Sequence, residues 1–352
     1  MRTIARAVLP APLRARIGAY LAARTPPEPP LLSFGSWEEL AGRGQRVVSL
    51  CHPGWRGVRS SAYSHRAPVV EVADAGYWSE ALAEQLVASR DKVLVVHGFP
   101  SGSERLIRLA AAKGVSTRCI LYSSMAQHGG DAVEAAMFET AVELLRQSSL
   151  HRLGIAKGEH AEALAALGIP ASFVPNRVPQ LPPLSKLELD GDRLHVGVFA
   201  EPFWRKNVVT QVGAVALLEN AVAHLIFRPD MSYVDGVPMV EHRLMPYEDF
   251  IRLQSSVDLN LYVTLSECQP LTPLESYLAG VPCLSSRTSV LFRDDPELWR
   301  LTTVDELDNP LAIARAAQRL LDHKEEAVER ARTWIEAWDE LAAERWHQFV
   351  AG

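Results

Sequence analysis

The residues best suited to chemistry lie in one stretch of the chain, DLNLYVTLSECQPLTPLESYLAGVP, from Asp258 to Pro282. Its apolar opening reads as a buried strand ending at Thr264, followed by a loop to Leu271 and a helix that starts near Thr272 or Pro273. Thr272 is a good capping residue, and Pro273 suits the first helical turn. A helix beginning there aims unpaired backbone N–H groups at the carboxyl end of the strand, an arrangement that favours an anion such as a diphosphate. Glu267 falls on the loop and Glu275 on the first turn of the helix, with seven residues between them. A carboxylate at the second position can accept hydrogen bonds from both vicinal hydroxyls of a ribose. Each such charge-assisted bond contributes roughly 1.5–3 kcal/mol.

Other candidates sit where further apolar runs end. His97 closes the run in VVHGFP, and Ser123, Ser124, Gln127 and His128 follow another in YSSMAQHGG. A histidine at such a place either touches a ligand or serves as a structural hydrogen-bonder. In CHPGWRGVRSSA, Gly54 and Gly57 would let backbone amides approach a phosphate and Arg59 would add charge; a plain turn accounts for the glycines as well. The basic pair Arg205-Lys206 follows the run LHVGVFA. Asp190-Gly191-Asp192 forms a D-x-D pattern, but its Asp and Gly residues are ordinary turn formers, so no metal site is expected. Trp334, Trp338, Leu341 and Trp346 form a helical stripe that reads as a docking face.

These residues need a scaffold of strand ends, and the rest of the 352-residue chain supplies one. Short apolar runs at 47–51, 93–96, 118–122 and 172–175 alternate with amphipathic stretches such as WSEALAEQLVAS, SERLIRLAAAKG and DAVEAAMFETAVELLRQ. That rhythm predicts parallel strands with helical crossovers. Four prolines in PNRVPQLPPLSKLELDGD break it, and it restarts at 194–200, 221–227 and 258–263. The expected fold is α/β, with two Rossmann-like doubly wound domains facing a cleft and C-terminal helices. The boundaries read as a basic helical segment over 1–45, a first domain over 46–179 and a linker over 180–193. A second domain over 194–330 and a terminal helix over 331–352 that packs back toward the first domain complete the chain.

Composition narrows the class. A net charge of -6 gives no reason to expect nucleic acid as a partner. The cysteines, Cys51, Cys119, Cys268 and Cys283, lack metal-ligand spacing and read as buried reduced thiols. No apolar run is long enough to span a membrane, and arginines interrupt the N-terminus where a secretory signal would need an apolar core. The expected location is cytoplasmic, with a peripheral contact on the inner membrane face through Arg2, Arg6, Arg14, Arg16 and Arg24 as one option.

The segment S-E-x-x-P-L-x-x-L-E-S-x-x-A-G-V-P resembles the E-x7-E signature of retaining glycosyltransferases with the GT-B fold (the glycosyl transferases group 1, or family 4-like, proteins). FVPNRV at 173–178 is similar to the strand and asparagine closing the family's first domain, and VGVFAEPFWRKN at 196–207 to the loop that grips the donor diphosphate. The resemblance implies that Glu275 binds the ribose, that Glu267 lies by the donor sugar, and that amides around Leu271 and Thr272 hold sugar and phosphate. It gives Lys206 the family's diphosphate lysine, and gives Gly54, Gly57 and Arg59 the glycine-rich loop. The family's arginine position falls on Glu201; either Arg205 replaces it or the correspondence is shifted by several residues. The family's histidine position near the donor sugar falls on Ser123 or Ser124, so that His128 or His97 would supply the contact instead. The implied substrates are a nucleotide sugar and a sugar, glycolipid, protein or small-molecule acceptor, without cofactor or metal. A nucleotide-sugar epimerase and a catalytically silent partner subunit of the same fold stay open, the latter because of Glu201 and the altered histidine position.

Overall fold

The computed structural model describes residues 46–73, 84, 92–231 and 236–351. The expected basic segment 1–45, with its membrane contact, lies outside them, as does nearly all of the helix expected over 78–89. Six strands form the first sheet: β1 (Val47–Cys51), β2 (Val69–Glu71), β3 (Val93–His97), β4 (Ser116–Leu121), β5 (Arg152–Ile155) and β6 (Ala171–Phe173), in the order β2-β1-β3-β4-β5-β6. The second holds β7 (Leu194–Val198), β8 (Ala221–Leu225), β9 (Met239–Glu241), β10 (Leu259–Tyr262), β11 (Cys283–Ser286) and β12 (Thr303–Val304), in the order β12-β11-β10-β7-β8-β9. Neighbouring strands pair in parallel throughout. The described helices are α1 (Arg56–Ser64), α2 (Ser103–Ala112), α3 (Met125–Gly130), α4 (Ala132–Arg146), α5 (Gly158–Ala166), α6 (Val208–Val215), α7 (Tyr247–Gln254), α8 (Thr272–Leu278), α9 (Pro296–Thr302), α10 (Pro310–Asp322) and α11 (Lys324–Ala351).

Strands covered on both faces show as continuous apolar runs, which is why β1, β3 and β10 are visible in the sequence. The edge strands β2, β9 and β12 are only two or three residues long and leave no periodic trace. β5 escapes notice because Arg152 and Gly154 interrupt it.

Each sheet changes its direction of strand addition once, between β1 and β3 and between β7 and β10. Strands part their connections at such a point, leaving a crevice at their carboxyl ends. Gly197 allows β7 and β10 to lie side by side there, since a Cβ on it would meet Asn260 Oδ1 and the Phe199 ring, each at 2.4 Å. Asn260 in turn donates to Ser276 Oγ at 2.8 Å, fixing α8 against the strand that precedes it.

The helix α11, 28 residues or about 42 Å long, joins the two halves. Ala327, Ala331, Ile335 and Trp338 pack into the core of the second sheet. Trp346, Phe349 and Val350 pack on Val93, Val95, Ile120 and Val174 of the first. The buried Arg118 donates from Nε to the Phe349 carbonyl at 2.6 Å.

On the other face of the second sheet three histidines hydrogen-bond in line. His195 Nδ1 lies 2.8 Å from His224 Nε2, and His224 Nδ1 lies 2.9 Å from His242 Nε2. His195 Nε2 faces the Asp190 carbonyl at 2.8 Å. A carbonyl only accepts, so His195 donates from Nε2; in a ladder of neutral rings each next one then donates from Nε2 to the Nδ1 before it. Burial, then the neighbouring His242 and His195, push His224 down to about 4. A depressed imidazole contributes stability that is present above the ordinary histidine range and lost as pH falls through the folded value. Melting temperature should therefore drop between pH about 6.5 and about 4, by the equivalent of about 2 kcal/mol, and His224→Gln should flatten that fall. An unchanged slope in the variant would show that the ladder does not control acid stability.

Candidate functional site

The crevice between β7 and β10 gathers the principal candidates. After β7 the chain forms a short 3-10 turn, Trp204–Lys206, and Asn207 follows in the left-handed region at φ 54°. The Asn207 amide donates to the Val263 carbonyl at 3.2 Å, and the Leu265 N–H donates to the Arg205 carbonyl at 2.8 Å. These bonds zip the two strand-end loops together. As a result Glu267, only 7% exposed, accepts from Arg205 Nη1 at 3.1 Å, from the Tyr262 hydroxyl at 3.2 Å and from Lys206 Nζ. The Lys206 ammonium also lies 4.8 Å from the centre of the Tyr262 ring.

Burial alone would raise the Glu267 pKa, but the Lys206 and Arg205 charges and the Lys206 and Tyr262 hydrogen bonds outweigh it and hold the carboxyl below its usual range. Lys206 is itself pulled down, first by burial and also by Arg205, against the attraction of Glu267. Two cations on one carboxylate leave a charge of +1 (2 − 1), which suits an incoming anion. Glu201 is near enough for its charge to favour protonated Lys206.

Glu275 stands in α8, 4% exposed, and accepts from the Tyr247 hydroxyl at 2.9 Å. Burial raises its pKa to about 7 against the lowering effect of that hydrogen bond. α8 starts where expected, but its cap differs. The helix begins at Thr272 as its first residue, so Leu271 takes the capping position; its backbone (φ -84°, ψ -31°) is already helical and no side chain caps the turn. Both residues are half-buried at the mouth of the loop.

The candidates of the first half divide. His97 needs correction as a sugar-contacting residue. It is 0% exposed, with Nδ1 2.6 Å from the Tyr122 hydroxyl and Nε2 3.1 Å from Ser49 Oγ, and burial keeps it neutral. The end of β3 is roofed by α11, whose Trp346 ring stacks on the buried His65 at 4.2 Å and lies 6.0 Å from His97, the two histidine rings being 5.7 Å apart. Gly54 donates its N–H to His52 Nδ1 at 3.1 Å instead of offering it to a phosphate. Gly57 lies exposed within the first turn of α1. Arg59 turns to the Pro53 carbonyl at 3.5 Å and to Glu71 at 3.8 Å. His128 is better placed. Half-buried and stacked on Phe138 at 4.6 Å, it lines a cavity of about 50 Å³ with Trp55, Phe99, Tyr122, Ser123 and Glu134. Trp55 enters that wall because Gly98, at φ +70°, has no Cβ to meet its ring at 2.9 Å.

The sequence reading missed Trp55, Lys157, Tyr247 and Tyr262. All but Tyr247 sit at or just beyond strand ends, which is the one signal they carry. Among the described residues no group of three or more His, Cys, Asp or Glu side chains could hold a metal ion, and no helix is long and apolar enough to cross a membrane. Asp190 and Asp192 form a turn, the Asp192 N–H donating to Asp190 Oδ1 at 3.3 Å.

No family model matches the sequence, and no curated protein matches it. Solved structures do match in shape. The apo structure of OtsA superposes over 87% of this chain and 98% of its own, at 12% identity and a TM-score of 0.59. Anabaena HepE in complex with UDP-glucose covers 86% of this chain and 99% of its own, at 12% identity and a TM-score of 0.59. The fold is GT-B. An α,α-trehalose-phosphate synthase (UDP-forming) from Burkholderia xenovorans, in complex with glucose-6-phosphate, covers 80% of each chain at 14% identity and a TM-score of 0.56. At such identities the likeness establishes the GT-B architecture, and the chemistry has to be argued from the side chains.

Proposed function

We propose that this chain transfers a sugar from a nucleotide-sugar donor to a hydroxyl-bearing acceptor (sugar, glycolipid, protein or small molecule), with retention of anomeric configuration and without a metal ion. The observation that carries the reading is the partly buried Glu267–Arg205–Lys206–Tyr262 cluster at the switch point of the second sheet, with Glu275 on the helix that follows. A nucleoside diphosphate leaves readily if the charge growing on its phosphates is stabilised, and Lys206 and Arg205 are the cations available for that. On donor binding the phosphates replace Glu267 as their partner, and the freed carboxylate takes sugar hydroxyls. Glu275 exchanges the Tyr247 hydroxyl for those of the ribose. The sugar C1–phosphate oxygen bond breaks as the acceptor oxygen bonds C1 on the same face, and the acceptor proton passes to the departing phosphate. Two GT-B structures described above, one in complex with UDP-glucose and one UDP-forming, support uridine diphosphate sugars as the first donors to try.

Glu267 already occupying both cations favours a second reading, a silent subunit that binds nucleoside diphosphate without turnover. Incubation with a panel of nucleotide sugars, with and without EDTA, separates the two. The expected result is donor consumption that survives EDTA and, by NMR, a product with the donor's anomeric configuration. An inverted product, or activity that EDTA abolishes and magnesium restores, would rule out the proposed mechanism. Binding without consumption of any donor would establish the silent reading.

A further inference from the structure

Three successive strand ends of the first sheet each place one residue on the loop that carries Glu267. After β4, Ser124 Oγ lies 2.6 Å from Ser266 Oγ. After β6, Asn176 and Gln269 bond reciprocally: the Asn176 N–H donates to Gln269 Oε1 at 2.6 Å, and Gln269 Nε2 donates to the Asn176 carbonyl at 3.1 Å. Between them, after β5, Lys157 Nζ donates to the Glu267 carbonyl at 3.2 Å and to the Thr288 carbonyl at 2.7 Å. Thr288 belongs to the loop after β11, and its hydroxyl donates back to the Thr264 carbonyl at 3.4 Å. One ammonium from the first half thus ties together two loops of the second.

Lys157 is an unusual choice for a purely structural tie. Its partners are carbonyls, and among the described residues no carboxylate lies within ion-pair distance of it. Burial disfavours the charged form of Lys157, and the Glu267 carboxylate, beyond ion-pair distance, offsets that only in part, so a partly buried cation bonded to carbonyls is a costly way to join two surfaces. Two other contacts in the same interface, Ser124–Ser266 and Asn176–Gln269, use neutral groups. What sets Lys157 apart is its target, the main chain of the residue whose carboxylate holds Lys206 and Arg205. A peptide bond held at its carbonyl has a restricted orientation, and the direction of the side chain leaving the same residue is restricted with it.

We propose that Lys157 is a positioning residue: closing the two halves seats its ammonium on the Glu267 and Thr288 carbonyls and so aims the Glu267 carboxylate for transfer. The kinetic half of this inference rests on the transferase reading; the latch itself does not. Glu275 and Tyr247 lie in the second half and are untouched by Lys157, so nucleotide binding and sugar transfer should respond differently to its loss.

The test compares Lys157→Met and Lys157→Arg with the full-length wild type by hydrogen exchange, UDP titration and steady-state kinetics. In Lys157→Met, exchange over residues 264–269 should accelerate about tenfold, kcat should fall about tenfold, and the Kd for UDP should stay within about twofold. Lys157→Arg keeps the charge and the donors, and should hold exchange within about threefold of wild type. Unchanged exchange over 264–269 in Lys157→Met would overturn the latch. So would a parallel loss of UDP affinity and kcat, or an equal loss in both variants accompanied by a lowered melting temperature, since either marks a packing role alone. A wild-type chain that consumes no donor, with the expected exchange pattern intact, would remove the transferase reading and leave the latch standing.

Discussion

Lys206→Ala should lower kcat about hundredfold while the donor KM changes only a few-fold, an energetic loss of about 3 kcal/mol confined to the transition state. The asymmetry follows from where the charge is. In the ground state the sugar diphosphate shares its charge with the sugar ester bond, and Arg205, 3.1 Å from Glu267, can still hold it. As that bond breaks, charge accumulates on the leaving oxygens, and interactions stronger there than in the ground state are the ones that raise kcat. Removing Lys206 also leaves Glu267 with Arg205 and Tyr262 as its remaining donors. Lys206→Arg is therefore the companion variant, to show that lost rate is not lost structure. Glu201→Gln should act in the opposite place: Glu201 favours the charged form of Lys206, so its neutralisation should shift the pH profile rather than abolish activity. Steady-state kinetics of the variants decides the matter. A Lys206→Ala enzyme with wild-type kcat would mean that the phosphates bind elsewhere, whereas a silent subunit has no turnover to lose and would show weakened diphosphate binding only.

How far the sequence reaches can be seen at individual residues. Arg205, Lys206 and Glu267 are legible because each follows an apolar run, and in a parallel sheet the carboxyl ends of the strands all lie on one side. Their convergence depends on β7 and β10 being neighbours, which no local pattern encodes; Gly197, with no Cβ to strike Asn260, is its trace in the chain. Tyr262 reads as core because it is the last residue of a buried strand, and only its hydroxyl reaches Glu267. Tyr247 is remote in sequence from Glu275 and meets it through the packing of α7. Lys157 follows a strand that Arg152 and Gly154 conceal, and its partners belong to the other half of the molecule. His97 illustrates the converse limit. Being at a strand end brings a residue to the right edge of the sheet, yet the C-terminal helix, 249 positions away at Trp346, decides whether its ring is covered (346 − 97).

Glu275→Gln should stabilise the protein and weaken its ligand at the same time, with both effects growing as pH rises. Burial lifts the Glu275 pKa to about 7, so the fold prefers the neutral carboxyl. A raised folded pKa contributes stability that is fully present below the unfolded carboxyl value and is lost as pH climbs through the folded one. The ionised side chain therefore costs wild type up to about 3 kcal/mol above pH about 7, and little below pH about 4.5. Glutamine has the same shape, stays neutral, and can still accept from the Tyr247 hydroxyl that Glu275 Oε1 accepts from now. Urea unfolding should consequently find the variant more stable than wild type at pH 8, with the difference vanishing near pH 4.5. Ribose hydroxyls, in contrast, bond best to the ionised carboxylate, so wild-type affinity should rise up to tenfold per pH unit below about 7 and level off above it. A nucleotide sugar is the proper probe, because its diphosphate diester does not titrate over this range. Calorimetry at pH 8 should show the variant binding about tenfold or more weakly, at pH 6 a smaller deficit, and proton release on binding to wild type alone. A stability gain independent of pH would show that Glu275 is not the titrating group, and equal affinity at pH 8 would remove it from the ribose site. The opposed pair of effects is what distinguishes a carboxylate buried for a ligand from one buried for the fold, since a structural carboxylate would lose stability on substitution and leave no ligand dependence behind.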